Sequence, residues 1–204
     1  MNSPKRSGTV INCAFDDGTM KLDLRPLSLP DVMLIHAGRV CDQRGYFAET
    51  YVRRDFVAAG IANDFIQDNQ SGSSTPGTVR GLHFQVPPYA QAKLIRVLRG
   101  RVLDVVIDLR RSSPAYGQHL TLELRESDDQ LFVPAGFAHG FCTLEPDTLV
   151  VYKVDSVYSP AHDRGINWAD PDLGVRWPIK ESEAVLSDRD RALPRLCQLE
   201  TPFH

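Results

Sequence analysis

From residue 31 onward the chain is built of short β-rich stretches separated by turn signals, with no long apolar run. They read "DVMLIHAGRV", "YFAETYV", "KLIRVLRG", "RVLDVVIDL", "HLTLELRE", "QLFVPAG" and "TLVVYKV". Val, Ile, Thr, Tyr and Phe suit a pleated, half-buried backbone, and runs of this length at this spacing predict an antiparallel sandwich or barrel. In "RVLDVVIDL" a period of two puts Leu103, Val105, Ile107 and Leu109 on one face, and Asp104, Val106 and Asp108 on the other. Gly100 stands between this run and the one before it, where positive φ costs glycine little, and a tight hairpin is expected there. Helix is confined to two short candidates. "VRRDFVAAG" is ended by Gly60, and "LSDRDRALPRL" has Ser187 as its cap and Pro194 as its limit. Residues 1–27 show little periodicity and predict an extension ahead of a single domain over residues 28–204.

A chain of 204 residues, 42% hydrophobic, can bury one sizeable core. Its formal charge of -3 offers no broad basic surface, so nucleic acid is not an expected partner. No stretch reaches the roughly 20 apolar residues of a membrane span, and the first residues lack an apolar signal core. Cys13, Cys41, Cys142 and Cys197 are far apart and form no CxxC pair. Reduced thiols and a cytoplasmic protein are therefore expected.

Against this background "RGLHFQVPPYAQAKLIRVLRG" is unusual, because Arg80, His83 and Lys93 lie within or beside apolar strands. A buried charge left without a partner costs several kcal/mol, so each of these groups must face something. An ion-pair network with Asp104 or Asp108 is one answer; a polar ligand cavity is the other. In "FVPAGFAHGF", His139 follows a turn at Pro134 and Gly136 and sits near Phe137 and Phe141, where a histidine is often simply packed. Metal binding is disfavoured. A metal-binding barrel of this kind would present a His-x-His pair and a nearby Glu, whereas here His83 is followed by Phe84 and Gln85 and "VPPYAQAK" adds no carboxylate.

Eight segments in order, "DQRGYFAETY", "FIQDNQS", "RGLHFQVPPYAQAKL", "GRVLDVVIDLRRSSPAYGQ", "VPAGFAHGF", "YKVDSVYSP", "INWADPDLGVRWP" and "LSDRD", carry a family resemblance. Across about residues 28–196 the chain resembles the dTDP-4-dehydrorhamnose 3,5-epimerase family of cupins. The resemblance implies an all-β cupin jelly-roll barrel with a few short helices. It further implies a homodimer that exchanges N-terminal strands, and a site that binds a dTDP-sugar with neither metal nor cofactor. The charged groups inside the strands would then line that site.

By motif, the resemblance makes His83 the base, Asp190 the carboxylate that orients it, Tyr152 the proton donor and Lys93 the cation beside the sugar keto oxygen. These types suit epimerisation next to a carbonyl, which needs a base, enolate stabilisation and an acid on the opposite face. Arg44 and Arg80 match diphosphate contacts, Arg44 coming from the partner chain. Glu49, Gln67, Asp68 and Asn69 match residues around nucleotide and sugar. Phe47 and Tyr158 match surfaces for flat ligand faces, with a core role also open for Phe47, and His139 matches a sugar-pocket histidine. Two features depart from the family: Arg189 stands where Lys is common, and a Glu often found after the "YSP" motif has become Asp163 or is missing.

Three other readings remain at this level. A mono-epimerase would use the same dyad and tyrosine at one carbon only. A non-catalytic nucleotide-sugar-binding cupin would not require both an acid and a base. A metal-dependent cupin oxygenase would require ligands that the sequence does not supply.

Overall fold

The computed structural model describes residues 22–126, 129–200 and 202–203. In chain order the strands are β1 (Leu22–Pro26), β2 (Met33–Ala37), β3 (Arg39–Asp42), β4 (Gly45–Ala48), β5 (Gln67–Ser73), β6 (Val79–Gln85) and β7 (Lys93–Arg99). They continue with β8 (Arg101–Asp108), β9 (His119–Arg125), β10 (Asp129–Val133), β11 (Phe137–Thr143), β12 (Thr148–Val154) and β13 (Asp163–Gly165). One sheet has the order β1-β2-β10-β7-β12-β5 and the other β13-β6-β11-β8-β9, while among the described residues β3 and β4 pair only with each other. From β5 to β8, and again from β9 to β13, each step along the chain crosses from one sheet to the other. That crossing pattern is the jelly roll.

Gly100 makes one of these crossings. β7 and β8 belong to different sheets, so the hairpin expected at this glycine is an inter-sheet corner. The reason is visible in the packing: Val97 and Val102 on either side are both buried in the core between the sheets, and Gly100 turns the chain at φ +80°. A Cβ there would meet Thr148 Oγ1 at 2.4 Å.

Between the sheets lie Ile95, Val97, Leu131 and Val150 from one and Val102, Val106, Phe137 and Phe141 from the other. The opposite face of β8, with Val105 and Ile107, is buried as well, under Ile166, Leu173 and Phe203 of the C-terminal segment. The six-stranded sheet is covered outside by Phe56, packed with Ile35, Leu94 and Phe132. Phe56 is the buried residue of α1 (Arg53–Ala58), a helix whose N-cap Val52 offers no side-chain hydrogen bond. Burying one such ring contributes about 2–3 kcal/mol, so packing holds this short helix in place of capping. Gly60 then ends the segment at φ +94°.

Residues 22–26 of the expected extension form an edge strand on the six-stranded sheet; its residues 1–21 lie outside the described part. The helix expected near residue 190 is α2, only Asp188–Arg191, with Ser187 Oγ accepting the Asp190 N–H at 3.1 Å. It is short because Leu193 precedes Pro194, and a residue before proline is driven out of helical backbone. Cys142 and Cys197 are free thiols. Cys41 is disulfide-bonded, against the expectation of reduced cysteines, since spacing along a chain does not report distance in space. No helix among the described residues is long and apolar enough to cross a membrane.

Candidate active site

The site opens where β6 meets β11 with almost no separation. Gly81, at φ +131°, would place a Cβ 2.6 Å from Gly140 Cα, and a Cβ on Gly140 would fall 2.6 Å from Arg80 O. Only glycines fit this contact. It coincides with a break in register between His139 and Phe141, and it sets His139 directly opposite His83.

His83 Nε2 lies 2.6 Å from Asp190 Oδ1. Burial works to raise the Asp190 pKa, but hydrogen bonds from His83, the Ser187 hydroxyl and the Gly81 N–H outweigh it and hold the carboxyl below its usual range. An ionised Asp190 fixes the proton on Nε2 and leaves Nδ1 as the basic nitrogen. Lys93, with 9% of its surface exposed, donates from Nζ to His83 O at 3.1 Å. Burial lowers its pKa to about 8, with Asp163 and Asp104 opposing the fall. On β12, the half-buried Tyr152 has its phenol pKa raised by burial, with Arg80 opposing the rise and Asp163 adding a smaller increment to it.

These four residues share a cavity of about 690 Å³ with His139 and Arg80. His139 Nε2 is 2.9 Å from Asp104 Oδ2, a buried second pair whose other oxygen, Asp104 Oδ1, has no hydrogen-bond partner among the described residues. Arg80 spans to β5, donating to Gly72 O at 2.9 Å and Ser73 Oγ at 3.2 Å. Neither Asp104 nor Asp108 hydrogen-bonds Arg80, His83 or Lys93, although Asp104 acts on Lys93 through its charge. Asp108 is occupied elsewhere, by Arg110 and Ser113.

A second cavity of about 350 Å³ adjoins the first through His83, Lys93, Tyr152 and Arg189, and adds Gln67, Asn69, Tyr158 and Asp163. Asp68 lines neither of these cavities. Its carboxylate takes Lys153 Nζ at 2.8 Å, in a different depression lined also by Leu94 and Arg96. Arg44, Phe47 and Glu49 lie on or beside the β3–β4 hairpin and line neither cavity. Arg44 is paired with Asp42 in the hairpin turn. Phe47 is 62% exposed, which removes the core reading for it.

Two groups matter more here than their sequence signals suggested. Asp163 Oδ2 accepts from Arg189 Nη2 at 2.7 Å and from the Tyr158 hydroxyl at 3.0 Å. Gln85 is buried two positions after His83; it donates to Tyr89 O at 2.7 Å and Val157 O at 3.1 Å, and accepts from the Ser159 N–H at 2.6 Å. A polar side chain in register with His83 on a buried strand was the available clue to Gln85. Asp163 stood out only as a departure from a family pattern.

Comparison with known proteins points to one family, although its solved relatives include a 3'-monoepimerase from Streptomyces bikiniensis (TM-score 0.78 at 32% identity, covering 85% of this chain and 87% of the other). The family model described as dTDP-4-dehydrorhamnose 3,5-epimerase matches residues 26–198. The enzyme of that name from Sinorhizobium fredii is 48% identical over 179 residues, 87% of this chain and 91% of that protein. A crystal structure of the Bacillus anthracis enzyme, with TDP and PPi bound, superposes with a TM-score of 0.83 at 44% identity, covering 86% of this chain and 99% of the other. The Legionella pneumophila enzyme, in complex with dTDP-4-keto-L-rhamnose, gives a TM-score of 0.84 at 33% identity, covering 90% and 98%. With its jelly-roll barrel and these relatives, the chain belongs to the dTDP-4-dehydrorhamnose 3,5-epimerase family.

Proposed function

We propose that this protein is an isomerase that epimerises dTDP-4-dehydro-6-deoxy-D-glucose at C3 and C5 to dTDP-4-dehydro-L-rhamnose, using its own side chains. The observation that carries the reading is the His83–Asp190 pair, 2.6 Å apart in one cavity with Tyr152 and Lys93. His83 takes the proton from a carbon beside the keto group, and the C–H electron pair becomes the enolate. Lys93 stabilises the negative oxygen as it forms. Tyr152, its phenol kept protonated by burial, returns a proton to the opposite face. The phenolate regains its proton from solvent, His83 releases its own, and the sequence repeats at the second carbon.

The remaining site residues have roles in binding. Arg80 offers a planar fork to the diphosphate, with Gln67, Asn69, Tyr158, Arg189 and His139 around nucleoside and sugar. Arg44, Phe47 and Glu49 would serve the site of a partner copy. Among the described residues the hairpin on or beside which they lie pairs only with itself, and it exposes Val40, Tyr46 and Phe47, which supports a homodimer that covers it. A cytoplasmic setting completes the proposal. The free Cys142 and Cys197 support it, the disulfide at Cys41 speaks against it, and cell fractionation decides.

The test is proton exchange followed by NMR in deuterium oxide. Deuterium is expected at both C3 and C5 of the product. Uptake at one carbon alone would identify a mono-epimerase, and binding of the nucleotide sugar without any exchange would identify a non-catalytic binder.

A further inference from the structure

We propose that Asp163 is a positioning residue that ties Arg189 and Tyr158 together at the mouth of the site and supplies the charge that keeps Lys93 cationic. This rests on the reading of Lys93 as the partner of the enolate oxygen. Asp163 opens the three-residue strand β13, opposite Gln85 on β6, and its side chain is 9% exposed. Both of its contacts fall on Oδ2, from Arg189 at 2.7 Å and Tyr158 at 3.0 Å. Tyr158 belongs to the loop after β12, and Arg189 to α2, where the next residue is the carboxylate that orients His83. One carboxylate thus joins a rim loop to the helix that holds the dyad.

An amide at this position could accept both hydrogen bonds, so tethering alone does not require a charge. The cavity suggests what the charge does. Asp163, Lys93 and Tyr152 line the same space. Lys93 Nζ is hydrogen-bonded to a neutral carbonyl, His83 O. Of the carboxylates nearby, Asp190 is engaged with His83 and Asp104 with His139. Asp163 is the larger of the two carboxylate influences that favour the cationic form of Lys93, Asp104 being the other. The other titratable or charged groups of the site are Arg80 and His83 on β6, His139 on β11, Tyr152 on β12, Tyr158 in the loop, and Arg189 and Asp190 on α2. Neutralising Asp163 removes a negative charge and leaves Arg189 uncompensated. The net change at Lys93 is the loss of one negative charge, which disfavours a cation there.

The experiment follows the lysine directly, without substrate. The chain has five lysines, and the ¹³Cε signal absent from Lys93→Arg assigns Lys93. In Asp163→Asn its titration midpoint is expected to fall from near 8 by roughly one pH unit, and in Asp163→Glu to return toward the original value. Arg189→Ala, which frees Asp163 from its ion pair, is expected to move the midpoint upward. An unchanged midpoint in Asp163→Asn, or a downward shift in Arg189→Ala, would overturn the proposal; the second variant serves if the first does not fold. Turnover supplies a separate reading: the alkaline limb of kcat should move with the lysine, and KM should rise several-fold in Asp163→Asn. A midpoint that moves while the limb stays fixed leaves Asp163 as assigned and removes Lys93 from the enolate step.

Discussion

At the scale of single residues, acid and base should fail differently when removed. His83→Ala is expected to abolish exchange at every carbon, because no other group is set to take the first proton. Tyr152→Phe should still exchange protons in deuterium oxide while largely retaining the starting configuration, because protonated His83 can return a deuteron to the face it deprotonated. NMR of recovered substrate distinguishes the two. Asp190→Asn should lose about 10²- to 10⁴-fold in kcat, by analogy with the tautomer error seen when other His–Asp pairs lose their charge. Lys93 adds a pH dependence of known sign. It is charged below its pKa of about 8 and neutral above, so kcat should decline on the alkaline side near pH 8, and Lys93→Arg should shift that limb well upward. Asp190, held below the usual carboxylate range, contributes no limb near neutrality. Arg80, His83 and Lys93 stood out because each is an expensive residue within or beside an apolar strand, whereas Asp190 and Tyr152 came only from the family resemblance. Asp68 lines a neighbouring depression and pairs with Lys153, because a motif carries residue types without facing and a step of one residue along a strand turns a side chain to the other side of the sheet.

Among the elements, the contact of β6 with β11 is the one that sets the site. Substituting Ala at Gly140 should cost about 1–3 kcal/mol by overpacking, and at Gly81 more, since positive φ adds strain. Thermal melts of the two variants measure this. The expected order is wild type, then Gly140→Ala, then Gly81→Ala, and a Gly81→Ala melt equal to wild type would contradict the account. Strand existence was readable from alternating apolar residues, and the two faces of β8 came out as the pattern implies. Strand partnership was not. Gly100 carries the same local signal in a hairpin as in a corner between sheets, and only the burial of Val97 and Val102 in one core decides between them. For α2 the cap at Ser187 was legible, but its length was set by Pro194 acting one residue upstream.

On the scale of the whole molecule, a homodimer sharing site residues makes a prediction about mixtures. If Arg44 serves the partner's site, Arg44→Ala and His83→Ala homodimers should each be nearly inactive. Co-expressed, they should recover up to about a quarter of wild-type activity: half the dimers are mixed, and each mixed dimer has one intact site. Sedimentation checks that mixing occurs; no recovery would place Arg44 in its own chain's site. The domain's overall class was legible because many short β runs leave few architectures. Periodicity and spacing do not reveal which distant residues the crossings bring together; the family resemblance alone paired His83 with Asp190. His83 and Asp190 stand 107 positions apart and meet only after the chain has passed between the sheets several times. Joining residues so far apart requires loop closure before any reward, which slows folding. Activity should therefore return last in refolding, after the sheet signal in circular dichroism has recovered, so that turnover itself times the final docking of the C-terminal segment.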